Sequence, residues 1–350
     1  MSNIFGVILS LGLCVASSAF AESSASVGDK MPEAAVGSAI TPTEAITTEE
    51  NSNKVNIEEL KAKAETGDID ALLNLGYIYL YGTNGVNTNY KQALAYYEAA
   101  AGKGSAVAYN NLGSLYFSGI GTNVDYPKAI HFFEEAAMLG SHDAAVNLAI
   151  IYLGNDADKK DFDKIIGLLN SAEPDNNIAK YLLGYCYFKG FHIGQDNAKA
   201  FKLIKTAADG NYDEAQYVLA DFYIRGIGAT KNYVKAVYYL QKATDQGNAD
   251  AAMKLADILA QGKAYPKDIK KAHVLYNVAS VLGNKKAGEK RDALESYLSI
   301  EDLLAVQAEA ENYKPAPSKE TKFVRQTYGN SLKIYIDSNI KDDTENKQEN

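Results

Sequence analysis

A single pattern of small and apolar residues returns along most of this chain, and its period restricts the possible folds before any individual motif is weighed. Anchored on a Leu-Gly pair, the copies begin at Leu75-Gly76, Leu112-Gly113, Leu148-Ala149, Leu183-Gly184, Leu219-Ala220 and Leu255-Ala256, stepping by 37, 36, 35, 36 and 36 residues. A second anchor, Ala93, Ala129, Ile165, Ala200, Ala236 and Ala272, steps by 36, 36, 35, 36 and 36. Two anchors agreeing over six copies mean a stacked array of identical supersecondary units.

Each copy predicts a helical hairpin. Ala71, Leu75, Ile78 and Tyr79 fall at helical spacing, and Ala93, Tyr97 and Ala100 do so again after a break. The break is Gly82-Thr83-Asn84-Gly85, with Gly119-Ile120-Gly121 and Gly226-Ile227-Gly228 in the same slot, residues able to take positive backbone dihedrals. The small residues Gly76, Gly113, Ala149, Ala220 and Ala256 let two helices approach closely. One hairpin cannot bury its apolar face alone, so the hairpins must stack. The expected fold class is all-α, an α-solenoid of about six antiparallel hairpins.

These residues resemble the Sel1-like repeat, a longer relative of the tetratricopeptide repeat. The resemblance rests on Leu-Gly, the tyrosine four residues after Leu, the Gly-x-Gly turn, Lys-Ala opening the second helix (Lys128-Ala129, Lys199-Ala200, Lys235-Ala236, Lys271-Ala272) and Ala-Ala near its end (Ala136-Ala137, Ala207-Ala208). It covers residues 70–283, divided as 70–106, 107–142, 143–177, 178–213, 214–249 and 250–283. The family's tryptophan slot holds Tyr97, Phe133, Leu169, Ile204, Leu240 and Tyr276 in a chain without Trp. The third copy lacks turn glycines, carries Ile165 for Ala and ends in Glu173-Pro174-Asp175, which predicts a local irregularity or bend.

The flanks differ in character. Residues 1–21 read as a secretory signal: Ile4 to Val15 is mostly apolar, too short for a membrane span, and Ala19-Phe20-Ala21 suits cleavage before Glu22. A lipoprotein or retained anchor is the alternative, although Leu13 is large for the position before Cys14. Residues 22–53 form a Ser/Ala/Thr/Glu spacer without period, expected to be disordered. Residues 54–69 predict a capping helix with Asn56 as its cap, and 284–313 predict two helices, the second capped by Ser299, that shield the last repeat. A coiled-coil contact with a partner is the other reading of the second pair. From Lys314 to residue 350 a mostly disordered tail is expected, interrupted by the strand-like alternation Leu332 to Asp337.

Composition narrows the function. The net charge of −9, without basic runs, makes nucleic acid or anionic lipid a poor partner. Cleavage after Ala21 leaves one cysteine, Cys186, in a core slot, so neither a disulfide nor a cysteine metal pair is available. His131, His142, His192 and His273 are scattered along the array, and no pair has i, i+4 spacing. There is no phosphate loop, nucleophile elbow or carboxylate pair. No catalytic residue, cofactor or metal is expected.

A binding face is better supported. In each first helix, the residue before Leu and the residue two after it lie three apart and share a face. The first position holds Asn74, Asn111, Asn147, Leu182, Val218 and Lys254; the second holds Tyr77, Ser114, Ile150, Tyr185, Asp221 and Asp257. Tyr217 joins Tyr77 and Tyr185 as an interface candidate, because tyrosine favours binding surfaces. The resemblance implies that this face lines a concave groove whose asparagines can hold a peptide backbone; the alternative is that they are tolerated polar surface. One turn earlier stand Asp70, Val107, Asp143, Ile178, Glu214 and Asp250, so the groove is not a carboxylate clamp and suits neutral or basic segments. The resemblance further implies an exported, non-catalytic adaptor of the bacterial envelope, periplasmic, outer-membrane associated or secreted, with envelope or host proteins as partners and a role in virulence. A ligand or regulator of peptidoglycan machinery, or a weak β-lactam hydrolase, are the competing readings.

Overall fold

The structure, a computed structural model, describes residues 56–153, 161–191 and 193–328. The expected signal, the 22–53 spacer, His192, the Leu332–Asp337 alternation and the end of the tail lie outside the described residues. Among the described residues there are sixteen helices and no strand. They are α1 (Ile57–Glu65), then the hairpin pairs α2 (Ile69–Tyr81) and α3 (Tyr90–Ala101), α4 (Ala106–Ser118) and α5 (Tyr126–Met138), and α6 (His142–Leu153) and α7 (Phe162–Ala172). Next come α8 (Asn177–Lys189) and α9 (Asn197–Asp209), α10 (Asp213–Arg225) and α11 (Tyr233–Asp245), and α12 (Ala249–Gln261) and α13 (Ile269–Val281). Last are α14 (Ala287–Glu295), α15 (Ile300–Glu311) and α16 (Lys319–Tyr328). The chain divides into two compact units, one reaching Asn176 and including the chain from Phe323, the other Asn177–Lys322. Within each, every hairpin packs on the next, the arrangement of an α-solenoid.

The hairpins follow from local chemistry. The second helices start at an Asp or Asn whose side chain accepts the backbone N–H three residues on: Asn89 from Gln92 (3.1 Å), Asp125 from Lys128 (3.0 Å), Asp196 from Lys199 (2.9 Å) and Asn232 from Lys235 (2.9 Å). That satisfies one of the donors a helix start leaves open. The cap residue's own N–H returns to the first helix, from Asp125 to the Tyr116 carbonyl at 2.9 Å and from Asn232 to Tyr223 at 2.9 Å. The first helix stops because the next residue is a left-handed glycine, as at Gly119 (φ 71°) and Gly226 (φ 78°).

The glycine of the Leu-Gly pair and the residue in the family's tryptophan slot are one packing unit. A Cβ on Gly113 would lie 2.7 Å from the Phe133 ring, and one on Gly76 would lie 2.6 Å from Tyr97. In the second unit, a Cβ on Gly184 would meet Ile204 at 2.8 Å. These three hairpins therefore close as they do because the glycine has no side chain, whereas the other three carry Ala149, Ala220 and Ala256 there. Tyr97, Phe133, Leu169, Ile204, Leu240 and Tyr276 are all buried. The third copy keeps this core, with Ile165, Leus 148 and 169, and Ala172 buried, although its residues 154–160 lie outside those described.

At the near end, Asn56 caps α1 by accepting from Glu59 at 3.3 Å, and Ala64 packs against the core of the first repeats. At the far end, α14 and α15 both pack on α13, and Ser299 caps α15 at 3.1 Å. Tyr297, Ile300 and Leu304 remain exposed there, so this end is less polar than its acidic residues suggest. The larger departure from the sequence reading follows. Residues from Lys314 do not run free: Tyr313 to Thr321 is bonded to the repeats of the second unit, and α16 begins at Lys319.

Candidate functional site

In the first unit the candidate face is carried by α2, α4 and α6. Asn74, Asn111 and Asn147 stand at the same register of these three helices, each just before the Leu that anchors the core. All three are buried, as is Ser114, while Tyr77 is half-buried. The sequence reading places these asparagines on an accessible wall; their burial makes them structural as well. Asn147 Nδ2 donates to Asn110 Oδ1 at 3.0 Å, tying two successive first helices together through paired amides. Ser114 Oγ donates back to the Asn110 carbonyl at 3.1 Å. The Tyr77 ring lies 4.5 Å from that of Tyr81, centroid to centroid.

In the second unit the same register yields a different surface. Tyr185 is buried, stacked on Tyr181 with ring centres 6.4 Å apart and tilted against Phe191 at 6.3 Å. Tyr217 is half-buried, and burial together with Asp250 and Asp221 pushes its hydroxyl up to about 12, so it stays a neutral donor. Asp221 bonds to Arg225 at 3.1 Å and lies 3.9 Å from Lys254. Asp257 accepts from Tyr276 at 2.7 Å and pairs with Lys290 at 2.6 Å. The charged candidates are therefore each engaged with an oppositely charged neighbour, Asp221 with Arg225 and Lys254, and Asp257 with Lys290.

The acids one turn earlier have a structural employment that the sequence reading attributes only to the helix dipole. Asp143 accepts from Asn176 at 3.0 Å, and Asp250 accepts from Asn284 at 3.0 Å. Each pair joins the start of one first helix to the turn one repeat later. Among the described residues no group of histidine, cysteine and acids could hold a metal ion, and no helix is long and apolar enough to cross a membrane. Cys186 is buried, and burial pushes its thiol up to about 12, away from any nucleophilic form at neutral pH.

Stacked helical hairpins define an α-helical repeat protein. The family model of the Sel1 repeat matches residues 69–105, 106–141, 177–212, 213–248 and 249–284, over half of the chain. The protein belongs to the Sel1 repeat family, whose members generally mediate protein–protein interaction. The unmatched interval, 142–176, is the third hairpin, present as α6 and α7 with a degenerate sequence. Among solved structures, the chain is similar to a Sel1 repeat protein from Oxalobacter formigenes, with a TM-score of 0.58, 25% identity and coverage of 73% of this chain and 76% of that one. It is also similar to c5321, a protective antigen of uropathogenic Escherichia coli strains displaying an SLR fold, with a TM-score of 0.55, 25% identity and coverage of 78% and 70%. A search of curated protein sequences returns no significant match.

Proposed function

We propose that the chain is an exported, non-catalytic scaffold of the bacterial envelope that holds an extended segment of a protein partner on its first-helix face. The observation that carries this reading is the recurrence of Asn74, Asn111 and Asn147 at one register of α2, α4 and α6. An amide side chain offers both a donor and an acceptor, and Asn111 and Asn147, buried under this face, order it from below, so contact with the segment falls to their half-buried neighbours. Tyr77 beside them supplies an aromatic anchor of the kind that carries binding energy.

Charge selects the segment. The slots in which a carboxylate clamp would place Lys or Arg hold Asp70, Val107 and Asp143 in the first unit, so a terminal carboxylate is disfavoured and a neutral or basic internal segment is favoured. The envelope setting draws on the signal-like residues 1–21 and on the likeness to the protective antigen of uropathogenic Escherichia coli, and it extends to contact with host proteins and virulence. Crosslinking in intact envelopes followed by recovery of the chain tests the proposal. A stoichiometric protein partner is expected; retention on isolated peptidoglycan with no protein partner, or β-lactam turnover by the purified chain, contradicts it.

A further inference from the structure

Four of the six turns that lead into a first helix share a two-residue rule, and two depart from it: the turn Pro174-Asp175-Asn176, which holds no glycine, and the turn before α10. A left-handed glycine is followed by a capping residue in Gly67-Asp68, Gly104-Ser105, Gly140-Ser141 and Gly247-Asn248, with φ of 83°, 85°, 87° and 87° at the glycines. Each capping side chain then accepts the N–H three residues on: Asp68 from Ala71 (2.8 Å), Ser105 from Ala108 (3.2 Å), Ser141 from Ala144 (3.3 Å) and Asn248 from Ala251 (2.9 Å). Before α10 the pair is Asn211-Tyr212. Asn211 takes the left-handed position at φ 68°, and Tyr212 makes no capping bond. A tyrosine in the cap slot offers no oxygen for the donors that a helix start leaves open.

The chain's own C-terminal segment fills that gap. The Asp213 N–H, the first of α10, points to Thr321 Oγ1 at 3.3 Å. The Thr321 hydroxyl lies 2.8 Å from Asp213 Oδ1 and 2.9 Å from Gln246 Oε1. Gln246 Oε1 also receives the Ser318 N–H at 2.9 Å. Upstream, Ala316, the one backbone donor between Pro315 and Pro317, reaches the Asp245 carbonyl at 2.9 Å, and the Tyr313 hydroxyl reaches the Thr244 carbonyl.

The receiving side is built in advance. Gln246 Nε2 is held by Gln216 Oε1 at 3.0 Å and by the Asn211 carbonyl at 3.1 Å, and Gln216 Nε2 bonds to Asn211 Oδ1 at 3.1 Å. These bonds leave Gln246 Oε1 facing the incoming segment. Asp213, Gln216, Gln246 and Thr321 are all buried, whereas Lys314, Pro315 and Ala316 are exposed. The segment thus seats the buried Thr321 hydroxyl and touches the rest of the turn through the Tyr313 hydroxyl and the Ala316 and Ser318 N–H groups.

We propose that this turn is a second recognition site, for an extended proline-flanked protein segment carrying a Ser-x-x-Thr pair, and that Tyr313–Thr321 is its resident, displaceable occupant. The site lies on the turn edge of α10 and α11, apart from the first-helix face, and does not depend on the function proposed for that face. Its grip is a handful of hydrogen bonds, each a modest net contribution because water makes the same bonds to the free segment, with only the Thr321 side chain deeply seated. The tethered occupant competes at an effective concentration in the millimolar range, so an outside segment enters when the strap is weakened or when it binds more tightly.

A labelled synthetic peptide of residues 312–325, added to the full chain and followed by fluorescence anisotropy, tests this. Full chain carrying Ser318→Ala and Thr321→Val in its own strap is expected to take up the peptide at least tenfold more tightly than the unaltered chain. Adding Gln246→Ala to that background is expected to remove the uptake. Because the double substitution also uncaps α10, Ser318→Ala alone, which leaves Thr321 on Asp213, serves as the mild variant and is expected to show intermediate uptake. Uptake by neither variant, equal uptake by loosened and unaltered chains, or uptake indifferent to Gln246→Ala overturns the proposal and leaves the strap as a fixed cap.

Discussion

Lys128 Nζ donates to the Tyr116 hydroxyl at 2.7 Å and lies 4.0 Å from the centre of its ring. Tyr116 is the tyrosine four after the repeat's Leu, and Lys128 is the lysine of Lys-Ala, so two motif positions twelve residues apart are one contact across the hairpin. The contact recurs as Lys164 on Tyr152 at 3.0 Å and Lys199 on Tyr187 at 2.5 Å, and in the fifth repeat Lys235 stands over the Tyr223 ring at 5.3 Å. The hydrogen bond to Tyr116 holds the Lys128 ammonium above the ordinary lysine range. The pair is partly exposed, so solvent screens it. Lys128→Met, which keeps the stem, is expected to lower stability by no more than about 1 kcal/mol in urea denaturation. A loss several times larger would mean that the lysine supports the hairpin in another way.

The glycine–aromatic contact is far less forgiving. With Phe133 2.7 Å from the place a Cβ would take, Gly113→Ala must push the ring or part the helices. Overpacking of this kind costs roughly 1–3 kcal/mol. Shortening the obstacle should return part of the loss, so Gly113→Ala with Phe133→Leu is expected to be more stable than additivity predicts. A double-mutant cycle by denaturant unfolding checks it, and strict additivity would uncouple the two positions.

His273 makes stability depend on pH. Its ring is fully buried on α13, and burial lowers its pKa below the ordinary 6.5, against an opposing pull from Glu295, whose Oε1 lies 4.0 Å from Nε2. Arg291 and Asp292 of α14 act in opposite senses on it, and Asp302 of α15 is engaged with Lys270. A histidine that binds its proton less readily when folded favours the unfolded chain in acid. This contribution is present above pH 6.5 and is lost as pH falls from 6.5 through the lower folded value. Unfolding free energies across pH 5 to 7.5 (about two units around the histidine range) should slope less in His273→Gln than in the unaltered chain; parallel slopes would contradict the assignment.

Cys186 offers a simple check on packing. Its thiol is buried and raised to about 12, so in a Cys14→Ser background a thiol-reactive disulfide reagent should find nothing to react with until denaturant is added. Reaction at the native rate of an exposed thiol would show that α8 opens readily.

Hairpin count, turn glycines and the tight glycine contacts were legible in sequence, because each depends on residue size at a fixed period. The Asx caps of the second helices were legible too: Asp125, Asp196 and Asn232 each stand three before the lysine of Lys-Ala, and the motif reading passed over them. The buried state of Asn111 and Asn147 was not, since periodicity says which face a residue shares and not what shields it. Nor was the strap. Asn211-Tyr212 in place of Gly and a cap was a visible anomaly, but nothing in it names Thr321, more than a hundred positions away, as the missing hydroxyl.

The asparagines are poor probes of binding. Replacing Asn147 removes the 3.0 Å bond to Asn110 along with any contact to a partner, so lost binding and lost stability would be confounded. Tyr77 avoids the difficulty, being half-buried and tolerant of another aromatic side chain. A benzoylphenylalanine in place of Tyr77, photolysed in intact cells, is compared with the same group in place of Met138, an exposed residue at the end of the second helix α5. The account predicts one discrete protein adduct from position 77 and none from position 138; adducts of equal yield at both positions, or none at 77, would contradict it.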